Sequence, residues 1–169
     1  MEAGAVGGCG AGLPPDQRVL TPDGYRAVAA IDVRDRIVTG VGRERLLIGL
    51  RVRPAAALVR LVTAAGLVLR AAAEQPVLAR RQEGVPEWIA AGRLRPGDLA
   101  GFLESARGPG RAPAASRSGL AVAAAVGLDW LVVADVQSVP YGGPVYTLSV
   151  EEDHSCVSEG WVLAAAHGG

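Results

Sequence analysis

The sequence predicts an all-β domain, and three observations support this. It contains 23 glycines and 11 prolines among 169 residues, which is typical of many short strands joined by tight turns. Its apolar residues recur in short runs separated by turn signals, rather than at the spacing of a helix. Half of the residues are apolar but only 4% are aromatic, so Val, Leu, Ile and Ala are expected to form the core. A chain of this length can bury one core, and we expect one domain.

Composition and charge also limit the expected partners. The formal net charge is zero, which argues against bulk attraction to nucleic acid or to a membrane surface. Residues 1–12 lack the basic and apolar regions of a signal peptide, and no uncharged apolar run reaches the roughly 18 residues of a transmembrane helix. We therefore expect a cytoplasmic monomer with no nucleic-acid or membrane partner. Cys9 and Cys156 form no ligand cluster with the histidines, so we expect no metal and no other cofactor.

The first half of the chain is predicted to consist of hairpins. Residues 18–21 form a strand, Pro22-Asp23-Gly24 is an Asp-Gly turn signal, and residues 25–31 form a second strand-like run. Residues 37–39 are a short strand. Residues 45–54 have the alternation of a half-buried strand, with one apolar face comprising Leu46, Ile48, Leu50 and Val52. Residues 58–63 and 67–71 form another hairpin.

The second half continues this pattern. Residues 75–80 are a strand, 88–94 a short helix or turn, and 95–98 a tight turn before a strand at 99–103. Residues 104–119 are predicted to be a flexible loop, and residues 120–126 a strand or brief helix. Strands follow at 128–137 and 145–150 with a turn at 139–144, and short strands at 156–157 and 161–163 come after an acidic turn. Trp88 and Trp161 are expected to anchor the core.

Two segments suggest an internal duplication. VRDRIVTG (33–40) and LRPGDLAG (94–101) each carry an aspartate after a turn signal, and each follows a short apolar run. Asp35 and Asp98 are therefore interpreted as turn-stabilising residues rather than as an acid/base pair.

Taken in order, these stretches resemble the Hint family of inteins, Hedgehog autoprocessing domains and bacterial intein-like domains. LPPDQRVLTPDGYRAVAAIDVRDRIVT resembles the opening block, with Arg34 in place of a glycine. GLVLRAAAEQPVLARR and EWIAAGRLRPGDLAGF resemble the block that reads Thr-x-x-His-Pro and continues to a Gly-Asp pair, while PVYTLSVEEDHSCVSEGWVL resembles the closing block. The resemblance covers residues 12–165. It implies a Hint-like, pseudo-two-fold horseshoe of short strands with no room for the homing endonuclease of larger inteins.

The resemblance also implies a self-processing chemistry. In the family, a Cys or Ser at the first position of the domain attacks the preceding peptide carbonyl and converts the amide into an ester or thioester. A His protonates the departing nitrogen, and a Thr orients the bond. A terminal His-Asn pair then releases the downstream segment.

In this chain, the early positions carry residues without that chemistry. The nucleophile position is Gly12, and the Thr and His positions are Ala72 and Gln75. Alanine has no proton to give, and an uncharged amide is a poor general acid. Efficient self-splicing is therefore not expected.

The closing block shows the same loss. Thr147 stands where the family often has Asp or Cys, and Ala164 and Ala165 stand at the terminal His-Asn positions. His154 is the one residue kept at a family functional position, and we interpret it as a structural residue in a turn. Cys156 is interpreted as a small buried apolar residue.

An alternative keeps the chemistry by displacing it. Cys9 lies three residues before Gly12, and His167 lies three residues after Ala164. If both ends slid by that amount, Cys9 would become a nucleophile assisted by His154 and His167. No Asn follows His167, so such a domain would cleave but would not splice.

The preferred interpretation is a Hint-like domain at residues 12–165, between a flexible leader at 1–11 and a tail at 166–169. Its processing residues have been lost, either by natural decay or by deliberate substitution. Its expected partners are the flanking host-protein segments, or exteins. A third interpretation is a β-rich binding module without catalysis.

Overall fold

The computed structural model describes residues 12–82, 84–103 and 128–165. The predicted leader, the predicted loop at 104–119, the run at 120–126 and the tail lie outside these residues, and so do Cys9 and His167. Within the described ranges, the chain forms eleven strands and two single-turn 3₁₀ helices, which confirms the all-β prediction. The strands are β1 (Arg18–Thr21), β2 (Gly24–Ala27), β3 (Arg36–Val38), β4 (Glu44–Thr63), β5 (Val68–Ala71), β6 (Pro76–Arg80), β7 (Glu87–Ala90), β8 (Leu99–Leu103), β9 (Leu128–Val150), β10 (Ser155–Ser158) and β11 (Trp161–Ala164).

These strands form two antiparallel sheets. The β1–β2 hairpin forms a two-stranded sheet of its own, and Thr21 pairs with Gly24 at the predicted Asp-Gly turn. The remaining nine strands form one sheet in the order β10-β11-β6-β8-β9-β4-β3, with β5 added to β4 and β7 added to β6. This arrangement brings β11, the last strand, beside β6, the strand that begins immediately after Gln75.

The two longest strands, β4 and β9, were each predicted as two shorter ones, which is wrong. They pair along almost their whole length, and Pro54 lies opposite Pro144. The predicted turn at 139–144 is instead an irregularity within β9, where Gly142 has a φ of +73°. A glycine and prolines within a strand indicate a bulge here rather than a chain reversal.

The predicted apolar face of β4 is also wrong. Leu47 is fully buried, whereas 46% of Ile48 and 55% of Val52 are exposed. The pairing with β9 shifts between Leu47 and Gly49. Because a bulge adds one residue to one strand, it reverses which side chains face the core.

Short-range predictions near the 3₁₀ helices need correction. The predicted strand-like run at 25–31 ends as a strand at Ala27, and a 3₁₀ helix (Val28–Ala30) follows. The predicted helix or turn at 88–94 is β7 followed by a second 3₁₀ helix (Ala91–Arg93). Trp88 is 37% exposed because β7 pairs only with β6, at the edge of the sheet, so it is not the predicted core anchor.

The two 3₁₀ helices lead into equivalent turns, as the duplicated pattern predicts. The carboxylate of Asp35 accepts the backbone N–H of Asp32 at 2.8 Å, and that of Asp98 accepts the N–H of Arg95 at 2.9 Å. Both carboxylates stabilise a turn, which confirms this interpretation.

The same turns attach to equivalent points of the long strands. The N–H of Arg34 donates to Leu47 at 2.7 Å, and that of Gly97 donates to Val133 at 2.9 Å. Arg34 has a φ of +83° and Gly97 a φ of +101°. The arginine therefore occupies a backbone conformation that glycine adopts at the equivalent position.

The core consists of two clusters of buried side chains drawn from strands along the described chain. Trp161 is fully buried, as predicted, and its ring lies 4.7 Å from that of Phe102. Most other buried side chains are Val, Leu, Ile and Ala. In the described ranges, no helix has the length and apolar character needed to cross a membrane.

Candidate functional site

The candidate site lies where the start of the described chain meets the end of β11. Leu13 pairs with Tyr146 of β9. The N–H of Leu13 donates to the Tyr146 carbonyl with an N to O distance of 3.0 Å, and the N–H of Tyr146 donates to the Leu13 carbonyl at 2.7 Å. This bridge sets Gly12 beside β9. Gly12 is also held by Ala72, whose N–H donates to its carbonyl at 2.9 Å.

Gln75 connects both ends of the domain. It lies between β5 and β6 and is 5% exposed. Its Oε1 accepts the N–H of Gly12 at 3.1 Å, and its Nε2 donates to the carbonyls of Ala164 at 2.8 Å and Pro76 at 3.0 Å. The partners determine how the amide is oriented, because an N–H needs the oxygen and the carbonyls need the nitrogen.

No side chain fits at Gly12 without a local change. A Cβ atom there would lie 2.9 Å from both Cβ and Cγ2 of Val145, and the φ of Gly12 is +152°. Val145 is fully buried in β9. Packing against Val145 therefore opposes any side chain at position 12, which the resemblance predicts to be the nucleophile position.

A small cavity remains beside Gln75. Its volume of about 10 Å³ is close to that of one water molecule. Among the described residues, it is lined by Leu13, Gln75, Tyr146, Thr147, Leu148, Cys156, Ala164 and Ala165.

Cys156 lines this cavity, a position that no sequence pattern predicts. It is 3% exposed, in agreement with the buried interpretation, and burial raises the pKa of its thiol to about 12. The thiolate is the nucleophilic form of cysteine. Cys156 is therefore protonated and unreactive at neutral pH.

The remaining predicted residues take different positions. Thr147 is 6% exposed and lines the cavity. His154 lies in the turn before β10 with a φ of +47°, and its carbonyl accepts the N–H of Ala165 at 2.8 Å. The structure thus brings together Gly12, Ala72, Gln75, Thr147, Ala164 and Ala165, while His154 contacts the end of the chain through its backbone.

An ion-pair cluster fixes the turn that precedes His154. Asp153 accepts a hydrogen bond from Thr39 Oγ1 at 2.8 Å and pairs with Arg43. The hydrogen bond to Asp153 raises the pKa of the Arg43 guanidinium. Gly40 also donates its N–H to Ser155 Oγ at 2.9 Å. These contacts tie the β3–β4 turn to the start of β10.

Sequence reasoning missed Val145 altogether. It is an ordinary strand valine, and its role depends on lying against a glycine far away in the sequence. Only the pairing of Leu13 with β9 reveals that contact. Ala72 and Gln75 could be found because a local pattern marks their positions.

The fold matches solved structures of inteins. The bacterial intein-like domain from Clostridium thermocellum is 20% identical, with a TM-score of 0.67 over 93% of this chain and 99% of that one. The gp41-1 intein is 12% identical, with a TM-score of 0.66 over 92% and 99% of the two chains.

A variant of the Ssp DnaB mini-intein, M86, is 11% identical, with a TM-score of 0.67 over 92% of this chain and 94% of that chain. No protein-family model matches the sequence, and neither does any curated protein. At these identities the likeness concerns the fold, and it extends over nearly all of each chain. This protein therefore has the Hint-type fold of inteins and bacterial intein-like domains.

Proposed function

We propose that this chain is an intein-fold domain that stays joined to its flanking host segments because its cleavage site is closed. The observation that carries the proposal is the environment of Gly12. Val145 occupies the space of a nucleophilic side chain, and Gln75 holds the Gly12 nitrogen. Both contacts oppose the first step of autoprocessing.

The hydrogen bond to Gly12 has the wrong direction for catalysis. The nitrogen that would depart is the Gly12 amide, and it must receive a proton to leave. Gln75 presents its oxygen to this nitrogen and accepts a hydrogen bond from it. A neutral amide oxygen has no proton to transfer.

The last step also lacks its reactive group. Release of a downstream segment in the family needs an Asn side chain that cyclises, and Ala164 and Ala165 have only methyl groups. The Ala164 carbonyl accepts a hydrogen bond from Gln75, and the Ala165 N–H donates to His154. The downstream end is thus held in place without a group that could cut it.

A cleaving domain that uses Cys9 requires a different register. Moving Cys9 into the place of Gly12 would displace Leu13 from its pairing with Tyr146. A slide of three residues also turns side chains to the opposite face of a strand. Leu13 is 2% exposed, so its burial opposes that slide.

The test is a fusion of the full chain between two folded tags of different mass. The fusion is incubated with and without dithiothreitol, next to the gp41-1 intein in the same fusion as a positive control. We expect no product from this chain. Cleavage products that disappear in Cys9→Ala but persist in Cys156→Ala would overturn the proposal in favour of the displaced nucleophile.

A further inference from the structure

We propose that Gln75 acts as a clasp, by which we mean that its side-chain amide bonds both Gly12 and Ala164. It thereby holds the two ends of the domain side by side. This inference rests on the proposed function, because a clasp is useful only while both flanks remain attached. Gln75 is a positioning residue that acts on backbone atoms of both ends. It replaces a catalytic contact with a structural one.

The side-chain amide of Gln75 is well matched to this role. It accepts one hydrogen bond from Gly12 and donates two, to Ala164 and Pro76. The backbone of Gln75 is hydrogen-bonded as well. Its N–H donates to the Ala72 carbonyl at 2.9 Å, and its carbonyl accepts the N–H of Ala91 at 2.8 Å. The side chain is therefore a fixed connector rather than a mobile surface group.

Other side chains would not make the same three bonds. A neutral histidine has one donor and one acceptor, so it could join Gly12 to Ala164 but would leave the Pro76 carbonyl without a donor. A glutamate carboxylate could accept from Gly12 but would repel both carbonyls. Methionine has a similar length and makes neither kind of bond well.

The clasp also defines the kind of host that the domain fits. Gly12 and Ala164 bind the two sides of one amide group, so the two ends of the described domain lie next to each other. A domain with adjacent ends can be inserted at a single point of a folded host, such as a turn or surface loop.

The experiment compares Gln75→Met with Gln17→Met, since Gln17 is a matched buried glutamine. Gln17 is 4% exposed, donates to Ser158 Oγ at 2.9 Å and accepts from the Arg70 N–H at 3.3 Å, but contacts neither end of the domain. Both variants are made in the full chain with Cys9→Ser. Dyes on peptide tags at the two ends report the end separation by energy transfer.

Cys156 supplies the second readout, because it lines the same cavity as Gln75. Its labelling by a thiol reagent, measured without denaturant and at low denaturant, reports local opening. We expect Gln75→Met to lower energy transfer and to speed labelling about tenfold or more, with little denaturant dependence. We expect Gln17→Met to leave energy transfer unchanged. Equal behaviour of the two variants in both readouts would overturn the clasp.

Two further variants test whether the hydrogen bonds of residue 75 hold the two ends together. They provide this test even if Gln75→Met does not fold. We expect Gln75→His to restore most of the energy transfer. We expect Gln75→Glu to be open at about pH 8 and to close towards about pH 5, where a carboxyl whose pKa is raised by burial regains a proton to donate. A pH-independent Gln75→Glu with the energy transfer of the parent would contradict the proposal.

The mass of each sample separates this inference from the proposed function. If fragments of the chain are detected, the proposed function, an uncleaved domain, is wrong. An intact chain with unchanged end separation in all Gln75 variants would count against the clasp alone.

Discussion

At position 12, the backbone conformation and the packing both disfavour a side chain. The φ of +152° is unfavourable for any residue with a Cβ, and Val145 fills the adjacent space. Placing a nucleophilic side chain at position 12 therefore requires more than one substitution. A second change at Val145 is needed to make room.

This predicts an energetic coupling between positions 12 and 145. Gly12→Ser should lower the free energy of unfolding by about 1–3 kcal/mol, because it introduces a clash and an unfavourable φ. Val145→Ala should also be destabilising, but the double variant should be more stable than the sum of the two effects predicts. Urea unfolding of the four proteins measures the coupling. Strict additivity would show that the two positions do not interact.

Cys156 predicts how stability depends on pH. Burial raises the pKa of its thiol from 9.0 to about 12, so above about pH 9 the unfolded chain loses a proton that the folded chain keeps. The free energy of unfolding should therefore fall as the pH rises from about 9 towards 12. Urea titrations of Cys9→Ser should show this fall, and Cys9→Ser/Cys156→Ala should show a smaller one. An equal slope in both proteins would mean that the thiol is not responsible.

The residues of the site could be predicted from sequence only where a local pattern marks them. Gly12 and Gln75 stand at recognisable distances from the Asp-Gly turn and from Pro76. Val145 lies against Gly12 because Leu13 pairs with Tyr146, and Cys156 lines a cavity together with Leu13 and Gln75. Both arrangements join segments that are far apart in the sequence, and no local pattern encodes them. Positions marked by a local pattern were therefore predictable, but the packing around them was not.

At the scale of elements, the two turns that follow the 3₁₀ helices share one geometry but differ in the residue that adopts the positive φ. Asp35 and Asp98 make the same backbone contact in both turns. The positive φ is carried by Arg34 in one turn and by Gly97 in the other. The arginine therefore carries a conformational cost that the glycine avoids.

Arg34→Gly should raise the free energy of unfolding by about 1 kcal/mol, because it relieves the positive φ. The matched variant Gly97→Ala should lower it by a similar amount, although there is open space around a Cβ at that position. Thermal and urea unfolding both measure these changes. A lower free energy of unfolding for Arg34→Gly would indicate that the contacts of the arginine side chain stabilise the fold by more than the positive φ destabilises it.

Elements were predicted best where turns are short and local. The strand Arg18–Thr21 and the turns before β2 and β8 agree with the sequence prediction. The β4–β9 pair was divided in two because proline and glycine usually mark turns, whereas here they lie opposite each other within a long ladder. Pairing of this kind depends on tertiary context rather than on local propensity.

At the scale of the whole molecule, the fold persists although little of the sequence does. The solved inteins that it matches share 11–20% of their residues with this chain and cover nearly all of it. The likeness therefore lies in the arrangement of the strands rather than in the residues. One fold can carry different sites, so this likeness describes the fold and not the chemistry of the site.

The most direct test of this account is the intact mass of the tagged fusion after prolonged incubation, with and without thiol. We expect a single species with the mass of the unprocessed fusion, both with and without thiol. Separate fragments, or a ligated product of the two tags, would contradict it.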